Sequence, residues 1–570
     1  GTSFKGGDYS KLSAKDIAGW QVGPGSAPEA GIYALKVFGD NGGTTGLVMD
    51  ALNWVAEHNI EAADSSDRIN IVSMSLGGSF GSSDDPENIA VNTLNEDGVL
   101  SVIAAGNDGD VTDIAGAPGT AASALTVAAS ASGKAWQDAI TVNTPDALHG
   151  AKLAGQYSVN YAKLDDFNLT ADVARVKSRD NLDGCQAYSA EDAAAVKGKI
   201  AYVDWDDSAV NCGSKVRFDN AEKAGAVGIM FASQSNIPEA GIAGNADIPG
   251  FQLVKNAAEN DKVQQAIDDG TLNVTFSSDL RMGVDSDYSQ ESEDTIASFT
   301  SRGIHGSYDG TVKPDVAAPG VGIISASAGT GTKPEVMSGT SMATPLTSGV
   351  AALVSAAHPD WSASQVKEQI INTADHDVLT ADRKTAYGPL RVGTGRIDAY
   401  AAVKNDVQVS SDDQTAVTGQ FGVVQVPKSG YTAKKTFTVR NWSKTTRTYK
   451  VAYEPRTNVP GVAYTTSTNS VTIGPRGTAT FDVTLNVDQS RLRHVRDTTQ
   501  ADKIGDKTTS YVTDASGVVE LTPADGLDTD SGDGSFGLRV AVSCAPKPVS
   551  DTQTTLVRTG KGTRGLRVSG

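Results

Sequence analysis

Residues 338–345 read SGTSMATP and stand at the start of an apolar run that predicts a long helix, from Ser341 to about residue 357. A hydroxyl at a helix N-terminus lies near unpaired backbone N–H groups and the positive end of the helix dipole. Such donors can stabilise the oxyanion that forms when a serine Oγ attacks a carbonyl. Gly339 lets a substrate backbone approach closely, and we expect Pro345 in the first turn, where a missing N–H does no harm. The alternative is that Ser341 is an ordinary helix cap.

The motif and two segments before it form a recognisable pattern. Residues 339–345 resemble the nucleophile motif of the subtilases, the subtilisin-like serine peptidases, and residues 301–303 (SRG) and 313–320 (KPDVAAPG) resemble the family's approach to it. Leu346 departs from the family, since many members carry histidine there, and we expect this change to affect packing and not chemistry. The resemblance implies an α/β fold with a parallel-sheet, subtilisin-like catalytic domain in which Ser341 is the nucleophile.

Asn107 follows the nearly continuous apolar run 99–105 in the sequence AAGN. It resembles the family's oxyanion-hole residue, whose amide donates a hydrogen bond to the developing negative oxygen. Read alone, an asparagine before Asp-Gly would be a turn residue. The resemblance therefore implies a catalytic role for Asn107 beside Ser341.

Two short segments resemble the family's substrate-binding edge. Residues 75–77 (SLG) resemble the strand edge that pairs with an extended substrate, which is recognition by β-strand addition. Residues 104–106 would line the pocket for the residue before the scissile bond. Residues 25–28 (GSAP) and 33–37 (YALKV) resemble the stretch that follows the family's histidine motif. The implied substrate-binding residues are Ser75, Leu76, Gly77, Ala104, Ala105 and Gly106.

Apolar periodicity predicts alternating strands and helices in the first 140 residues. Such an order implies a parallel sheet covered by helices. The pattern returns at residues 296–299 and 315–318, and Ser362 with Gln365 predicts a capping box at a later helix. The apolar runs are 32–38, 69–76, 99–105 and 126–129, with helices over 47–55 and 86–96.

Between these two regions, residues 145–283 predict a small α/β unit inserted at a surface loop. A strand at 199–205, a helix at 217–225 and a strand at 227–232 follow one another there. Residues 196–200 (VKGKI) and 220–226 (NAEKAGA) resemble a protease-associated domain. The predicted boundaries are 1–144 for the first part of the catalytic domain, 145–283 for the insert and 284–404 for the second part with the nucleophile.

Residues 405–570 are rich in Thr and Val that alternate along short runs, such as 435–439, 449–453 and 478–485. Turn sequences such as 474–477 (GPRG) separate the runs. This pattern predicts a β-sandwich, and it resembles the fibronectin-III-like domain appended to large subtilases. The final run LRVSG suggests that this domain is cut at its C-terminus.

The three cysteines allow two interpretations. Cys185 and Cys212 are close in sequence and Cys544 is distant, so we expect a Cys185–Cys212 disulfide with Cys544 left over. The alternative is three buried free thiols.

Composition excludes several classes of protein. Lys and Arg total 48 against 68 Asp and Glu, for a net charge of −20, which argues against nucleic acid because nucleic acid favours basic surfaces. No apolar run approaches the 18 or so residues that a membrane span requires. The length of 570 residues indicates several domains. The resemblance implies a secreted protein with protein or peptide substrates.

A catalytic serine needs a base to take its proton and an acid to orient that base. The family's histidine lies in an H-G-T-H run and its aspartate follows an apolar strand, but none of the six histidines here has that context. Asp530-Ser531-Gly532 imitates the aspartate motif without a strand before it, and we interpret it as a solvated turn. The chain is therefore expected to be a fragment that begins after both segments and is inactive alone. The six histidines are His58, His149, His305, His358, His376 and His494.

Three further interpretations concern calcium binding, an α/β-hydrolase motif and a non-catalytic role. The family commonly binds calcium, but no motif locates a site, and the cluster around Asp530 misses the EF-hand pattern. Residues 77–81 match G-x-S-x-G of α/β-hydrolases, although no helix follows at once as that fold requires. The main alternative to a peptidase is a non-catalytic subtilase-fold protein that binds other proteins through the insert and the sandwich.

Overall fold

The computed structural model describes most of the chain. His305 and the Asp530-Ser531-Gly532 motif, on which two of the predictions fall, lie outside the described residues. The described residues are 11–17, 20, 22–39, 43–63, 66–82, 84–206, 212–239, 241–303, 312–330, 333–412, 416–504, 507–524, 536–550, 552–558 and 564–569.

Before the insert, the chain alternates helices with strands, as its apolar periodicity predicts. Helix α2 buries Val48, Leu52 and Val55, which recur every three or four residues and form one stripe. All five residues of β2 are buried, as expected for a strand covered on both faces. The elements are α1 (Ala14–Ile17), α2 (Val48–Glu61), β1 (Ile71–Met74), α3 (Pro86–Glu96), β2 (Leu100–Ala104), β3 (Leu125–Ala131) and β4 (Lys134–Thr144).

The predicted insert has its own sheet and its own core. Neighbouring strands β6 to β9 are parallel, in the order β10-β6-β7-β8-β9-β5-β4-β11. Phe251 belongs to the core on one face and Phe218 to the core on the other. The elements are β5 (Lys152–Tyr157), β6 (Asn168–Arg175), α4 (Ala190–Val196), β7 (Ile200–Tyr202), α5 (Gly213–Lys223), β8 (Gly228–Ala232), β9 (Gly250–Leu253), α6 (Lys255–Ala258), α7 (Asp261–Asp268), β10 (Asn273–Ser277) and β11 (Val284–Asp287).

The cysteine prediction is confirmed. A disulfide joins Cys185 to Cys212 within this unit, and Cys544 is a free, buried thiol. The unit is entered through β4 and left through β11, which pair antiparallel with Gln137 opposite Val284. The chain therefore enters and leaves this unit through two adjacent strands.

After the insert, the chain completes the sheet of the first region. The order is β1-β2-β3-β12 and every neighbouring pair is parallel, which confirms the predicted parallel core. Helix α9 packs Ala343 and Val350 against Val127 and Val316 of that sheet. The elements are α8 (Ser289–Ser292), β12 (Val316–Val321), β13 (Ile323–Ala326), β14 (Pro334–Met337), α9 (Thr340–Ala357), α10 (Ala363–Asn372), α11 (Pro389–Val392) and α12 (Ala399–Lys404).

A buried charge cluster fixes β12 to β3. The Asp315 carboxylate accepts hydrogen bonds from Thr126 N and from Lys313 Nζ, both at 2.7 Å, and Lys367 Nζ lies 3.8 Å away. Buried charges of this kind need a partner, since an unpaired one would lose its hydration without compensation. The motif residues 313–320 thus serve the packing of the sheet.

Among the described C-terminal residues, nine strands form two larger sheets that face a common core, and the pairs β22-β23 and β26-β27 form two small sheets. Gly419 of β16 leaves space that the Phe437 ring and the Val542 side chain occupy, so side chains of both sheets meet there. The orders are β15-β17-β21-β19 and β16-β25-β24-β18-β20. The elements are β15 (Val407–Ser411), β16 (Gly419–Val426), β17 (Tyr431–Asn441), β18 (Arg447–Pro455), β19 (Val462–Thr466), β20 (Ser470–Ile473), β21 (Thr478–Val487), β22 (Lys503–Ile504), β23 (Lys507–Thr508), β24 (Ala515–Pro523), β25 (Leu538–Pro548), β26 (Gln553–Arg558) and β27 (Arg564–Ser569).

Three local predictions are wrong. The apolar run 32–38 forms no strand, and its Ile32 is 88% exposed, because no described strand pairs with it. Residues 296–299 make only an isolated bridge, between Ile296 and Ser130. Pro345 lies beyond the first turn of α9, because the helix already begins at Thr340.

Among the described residues, we find no helix with the length and apolarity that a bilayer crossing requires.

Candidate active site

The structure brings Asn107 and Ser341 together although 234 positions separate them in sequence. Ser341 is the second residue of α9, and Asn107 lies three residues after the end of β2. Thr340, the neighbour of Ser341, donates hydrogen bonds to Asn107 Oδ1 from its backbone N–H and from its hydroxyl, both at 2.9 Å. Asn107 thus contacts the residue next to Ser341.

Thr340 determines which way the Asn107 carboxamide faces. Two donors converge on one atom of the amide, so that atom must be the oxygen and the Nδ2 amino group must point away from Thr340. Thr340 is fully buried, and its hydroxyl also accepts the Gly106 N–H at 3.3 Å. Asn107 itself is exposed. Its amino group can thus meet the oxygen of a bound ligand.

Two contacts join Ser341 to Ser75, each from the hydroxyl of one residue to the carbonyl oxygen of the other. The Ser341 hydroxyl lies 3.4 Å from the Ser75 carbonyl oxygen, and the Ser75 hydroxyl donates to the Ser341 carbonyl oxygen at 2.7 Å. Pro345 explains the second bond, because it has no N–H to donate to the carbonyl four residues earlier. The proline thus leaves an acceptor for Ser75, and this contact joins the start of α9 to the end of β1.

The predicted substrate-binding segments leave two neighbouring strands at the same end. Met74 lies opposite Ile103 in the parallel pair of β1 and β2, so residues 75–77 and 104–106 emerge side by side. Ser75 and Gly77 are exposed, whereas Ala104 and Ala105 are buried. The carboxyl edge of parallel strands is where ligands bind in open α/β sheets.

A second layer of contacts supports these segments, and sequence reasoning assigned it no role. The Ser301 N–H donates to Gly106 O at 2.9 Å, and Ser301 Oγ accepts the Asp108 N–H at 3.1 Å. Gly78 N donates to Ala117 O at 2.9 Å, which anchors the chain just after residue 77. The SRG motif at 301–303 is the signal that could have identified Ser301.

No described histidine reaches the Ser341 hydroxyl. Within the described residues, its hydrogen-bond contact is to Ser75. The pKa of His376 is raised, chiefly by its hydrogen bond with Asp375, and the pKa of His358 is lowered by burial. The described imidazoles contact other groups: His58 the Asp67 carbonyl, His149 the Asn143 carbonyl, His358 the Trp361 ring, His376 the Asp375 carboxylate and His494 the Tyr511 ring.

One group in the described part of the chain has the geometry for a metal ion. Ligand atoms of Asp375, His376 and Asp398 lie within 4.8 Å of one another. Calcium takes six to eight oxygen ligands, so a group with two carboxylates and an imidazole does not fit the calcium that the resemblance suggests. Asp398 also caps α12 by accepting the Ala401 N–H.

Known proteins and one family model resemble much of this chain. A model described as the Subtilase family matches residues 11–395. The minor extracellular protease Vpr of Bacillus subtilis is 27% identical over 491 residues, covering 82% of this chain and 53% of Vpr. The PII-type proteinase of Lacticaseibacillus paracasei is 28% identical over 494 residues, covering 78% of this chain and 24% of the proteinase. Subtilisin-like protease SBT3.9 of Arabidopsis thaliana is 28% identical over 358 residues, covering 59% and 43%. The chain spans about half the length of Vpr and a quarter of the PII-type proteinase.

Proposed function

Because the chain belongs to the subtilase family, we propose that it is a secreted serine endopeptidase that cleaves proteins or peptides through an acyl-enzyme on Ser341. The observation that carries the proposal is the pair of hydrogen bonds from Thr340 to Asn107 Oδ1, which turns the amide donor away from Thr340 at the start of α9. Ser341 is the second residue of α9, whose N-cap is Gly339, so it is not an ordinary helix cap. Secretion is proposed because the relative Vpr is named an extracellular protease.

In the proposed reaction, Ser341 Oγ attacks the carbonyl carbon of the scissile bond while a general base takes its proton. The oxyanion of the tetrahedral intermediate accepts hydrogen bonds from Asn107 Nδ2 and from the Ser341 N–H, for which helix geometry provides no acceptor in the first turn. The intermediate expels the amine, which receives the proton, and water then hydrolyses the ester. Loss of one such donor costs about 3 to 4 kcal/mol of transition-state stabilisation in a subtilisin, a relative in the same family.

The substrate backbone binds in extended form beside residues 75–77. The exposure of Ser75 and Gly77 supports this assignment, since an added strand needs accessible backbone groups. The side chain before the scissile bond enters the space beside Ala104, Ala105 and Gly106. Residues 145–283 act as a protease-associated domain and residues 405–570 as a fibronectin-III-like sandwich.

The general base and its acid partner come from outside the described residues. A serine hydroxyl without a base is a poor nucleophile, so we expect the chain alone to hydrolyse peptides slowly. Robust hydrolysis by this chain, abolished by Ser341→Ala, would contradict this part of the proposal while supporting the enzyme assignment.

Ligand binding tests the site without a base. We expect a peptide that ends in a free carboxylate to bind more tightly than the same peptide ending in a primary amide, because a carboxylate oxygen can occupy the position of the oxyanion. The measured quantity is the ratio of the two Kd values, which we call the carboxylate preference. A preference of about 10-fold is expected, given the strength of hydrogen bonds to charged groups, and Asn107→Ala should abolish it. Peptides that bind with no preference would favour the alternative, a non-catalytic protein-binding module, which the lack of a described histidine partner for Ser341 also favours.

A further inference from the structure

The segment that carries Asn107 is fixed on one side by residues 299–302. Ser301 bonds to Gly106 and to Asp108, the two neighbours of Asn107, at 2.9 and 3.1 Å. Arg302 N donates to Gly109 O at 3.2 Å. Any movement of residues 301 and 302 would therefore move the backbone on both sides of the Asn107 side chain.

The other side of this segment contacts the C-terminal β region, which comprises residues 405–570. Ala501 N donates to Asp110 Oδ2 at 3.1 Å. Gln500 Nε2 donates to Thr112 Oγ1 at 2.9 Å, and that hydroxyl donates to Ser510 O at 3.2 Å. Residues 110–112 thus bond to three different positions in the segment 500–510.

A buried cluster of four charges joins the two sides. Arg302 Nε lies 2.5 Å from Asp110 Oδ1, and Arg302 Nη1 lies 2.9 Å from Asp497 Oδ2. Arg391 Nη1 lies 3.4 Å from Asp110 Oδ1. The side chains of Arg302, Asp497 and Arg391 are only 3%, 4% and 2% exposed. Thr499 holds the second Asp497 oxygen through its N–H and its hydroxyl, both at 2.9 Å.

Asp497 supplies one of the two carboxylates that contact Arg302. Without it, Arg302 would keep only the Asp110 carboxylate, which Arg391 also contacts. Burial raises the pKa of Asp110, but the positive charges of Arg391 and Arg302 together have a larger, opposite effect, so that this pKa is lowered overall. A buried cation that loses its partner is strongly destabilised, so Arg302 would have to move toward water or toward Asp110, and Ser301 would move with it.

We propose that Asp497 of the C-terminal β region is a positioning residue for Asn107, acting through Arg302 and Ser301. This inference rests on the proposed function of Asn107. On this view the C-terminal region is part of the peptidase site, and its contacts with residues 110–112 hold the oxyanion donor in place.

The carboxylate preference of the full chain measures this effect directly. Asp497→Asn keeps the size of the side chain and removes its charge. We expect it to lower the preference at least about three-fold, while the Kd of the amide-ended peptide changes by less than about two-fold. A purely structural role would change both Kd values together or only the unfolding temperature. Hydrogen exchange of residues 104–112 should also become faster in the variant.

Asp377→Asn is the matched control. Asp377 Oδ1 accepts hydrogen bonds from Arg456 Nη2 and from Arg539 Nη1, both at 2.8 Å. It therefore also joins the nucleophile-bearing part of the chain to the C-terminal region through arginine, but its hydrogen bonds do not involve residues 104–112. We expect its carboxylate preference to equal that of the wild-type chain.

The possible outcomes distinguish the positioning role of Asp497 from the proposed function of the chain. An unchanged preference in Asp497→Asn, with Asn107→Ala abolishing it, would overturn the positioning role and leave the proposed function intact. A wild-type chain without any preference would overturn the proposed function. If Asp497→Asn does not fold, Thr499→Val is measured instead, because it removes one neutral donor that holds the Asp497 carboxylate. An unchanged preference in that variant would also overturn the positioning role.

Discussion

Thr340 determines which end of the Asn107 carboxamide a ligand meets. If the amide were reversed, its NH2 group would face the Thr340 N–H and two donors would oppose each other. The sequence predicted Asn107 and Ser341 because each lies in a motif. It could not predict the role of Thr340, because that role depends on a partner 233 positions away.

Gly116 provides a prediction at a single residue. A Cβ at this position would lie 1.5 Å from the Gly78 carbonyl oxygen and 2.2 Å from its carbon. Both are backbone atoms, so residues 78–81 would have to move, and they directly follow residues 75–77, where we propose that the substrate binds. We expect Gly116→Ala to lower the free energy of unfolding by about 1 to 3 kcal/mol and to weaken binding of the amide-ended peptide. Urea denaturation and peptide titration measure the two effects.

Gly474→Ala is the control for this substitution. An added Cβ at Gly474 meets no atom within 4 Å. Its unfolding free energy should stay within about 0.5 kcal/mol of the wild-type value. An equal loss in both variants would show that the close approach of Gly116 to Gly78 is not the cause.

Among whole elements, those with local signals were predictable. The capping box at Ser362 and Gln365 is confirmed, with the Ser362 hydroxyl accepting the Gln365 N–H and the Gln365 side chain accepting the Ser362 N–H. Helix α3 runs over the predicted residues 86–96. Residues 32–38 have the composition of a strand, but a strand also needs a neighbour to bond with, and a sequence run cannot supply that information.

The capping box predicts a stability effect at α10. Ser362→Ala removes the side-chain acceptor for the Gln365 N–H. We expect a loss of about 1 kcal/mol in the free energy of unfolding, measured by urea denaturation. Ser362→Thr, which keeps a capping hydroxyl, should recover most of the loss, and equal losses in both variants would exclude the cap as the cause.

The disulfide of the insert predicts a local effect. Cys185 and Cys212 are 27 positions apart, and closing a loop of that length stabilises a fold by about 3 to 4 kcal/mol in the chain-entropy account. Replacing both cysteines with serine should therefore speed hydrogen exchange across α5 and β7. Residues 104–107 lie at the end of β2, a strand of another sheet, so the carboxylate preference should not change. A changed preference would indicate coupling between the insert and the site.

At the scale of the whole molecule, buried carboxyl groups control stability against pH. Burial raises the pKa of Asp514 from 3.8 to about 7, although the hydroxyls of Ser516 and Ser543 bond to it. Burial raises the pKa of Glu368 to about 7 as well. Both groups keep their protons in the fold at pH values where the unfolded chain has lost them. At these two groups the unfolded state therefore binds fewer protons, and their contribution to the free energy of unfolding falls as pH rises from about 4 to about 7.

Asp514→Asn tests this dependence. An amide cannot ionise, so the fall in unfolding free energy between pH 5 and pH 8 should shrink by an amount on the order of 2 kcal/mol. Urea denaturation at the two pH values measures it. The exposed Asp165→Asn should leave the dependence as it is in the wild-type chain. An unchanged slope in Asp514→Asn would mean that this carboxyl ionises normally in the fold.

The contacts between residues 110–112 and 497–510 have a consequence for the timing of synthesis. Thr112 and Ser510 are 398 positions apart, and a ribosome makes the chain from its N-terminus. A nascent chain therefore holds its nucleophile long before the partners of Thr112 exist. The growing polypeptide therefore lacks these contacts with residues 110–112 until the stretch up to Ser510 has left the ribosome.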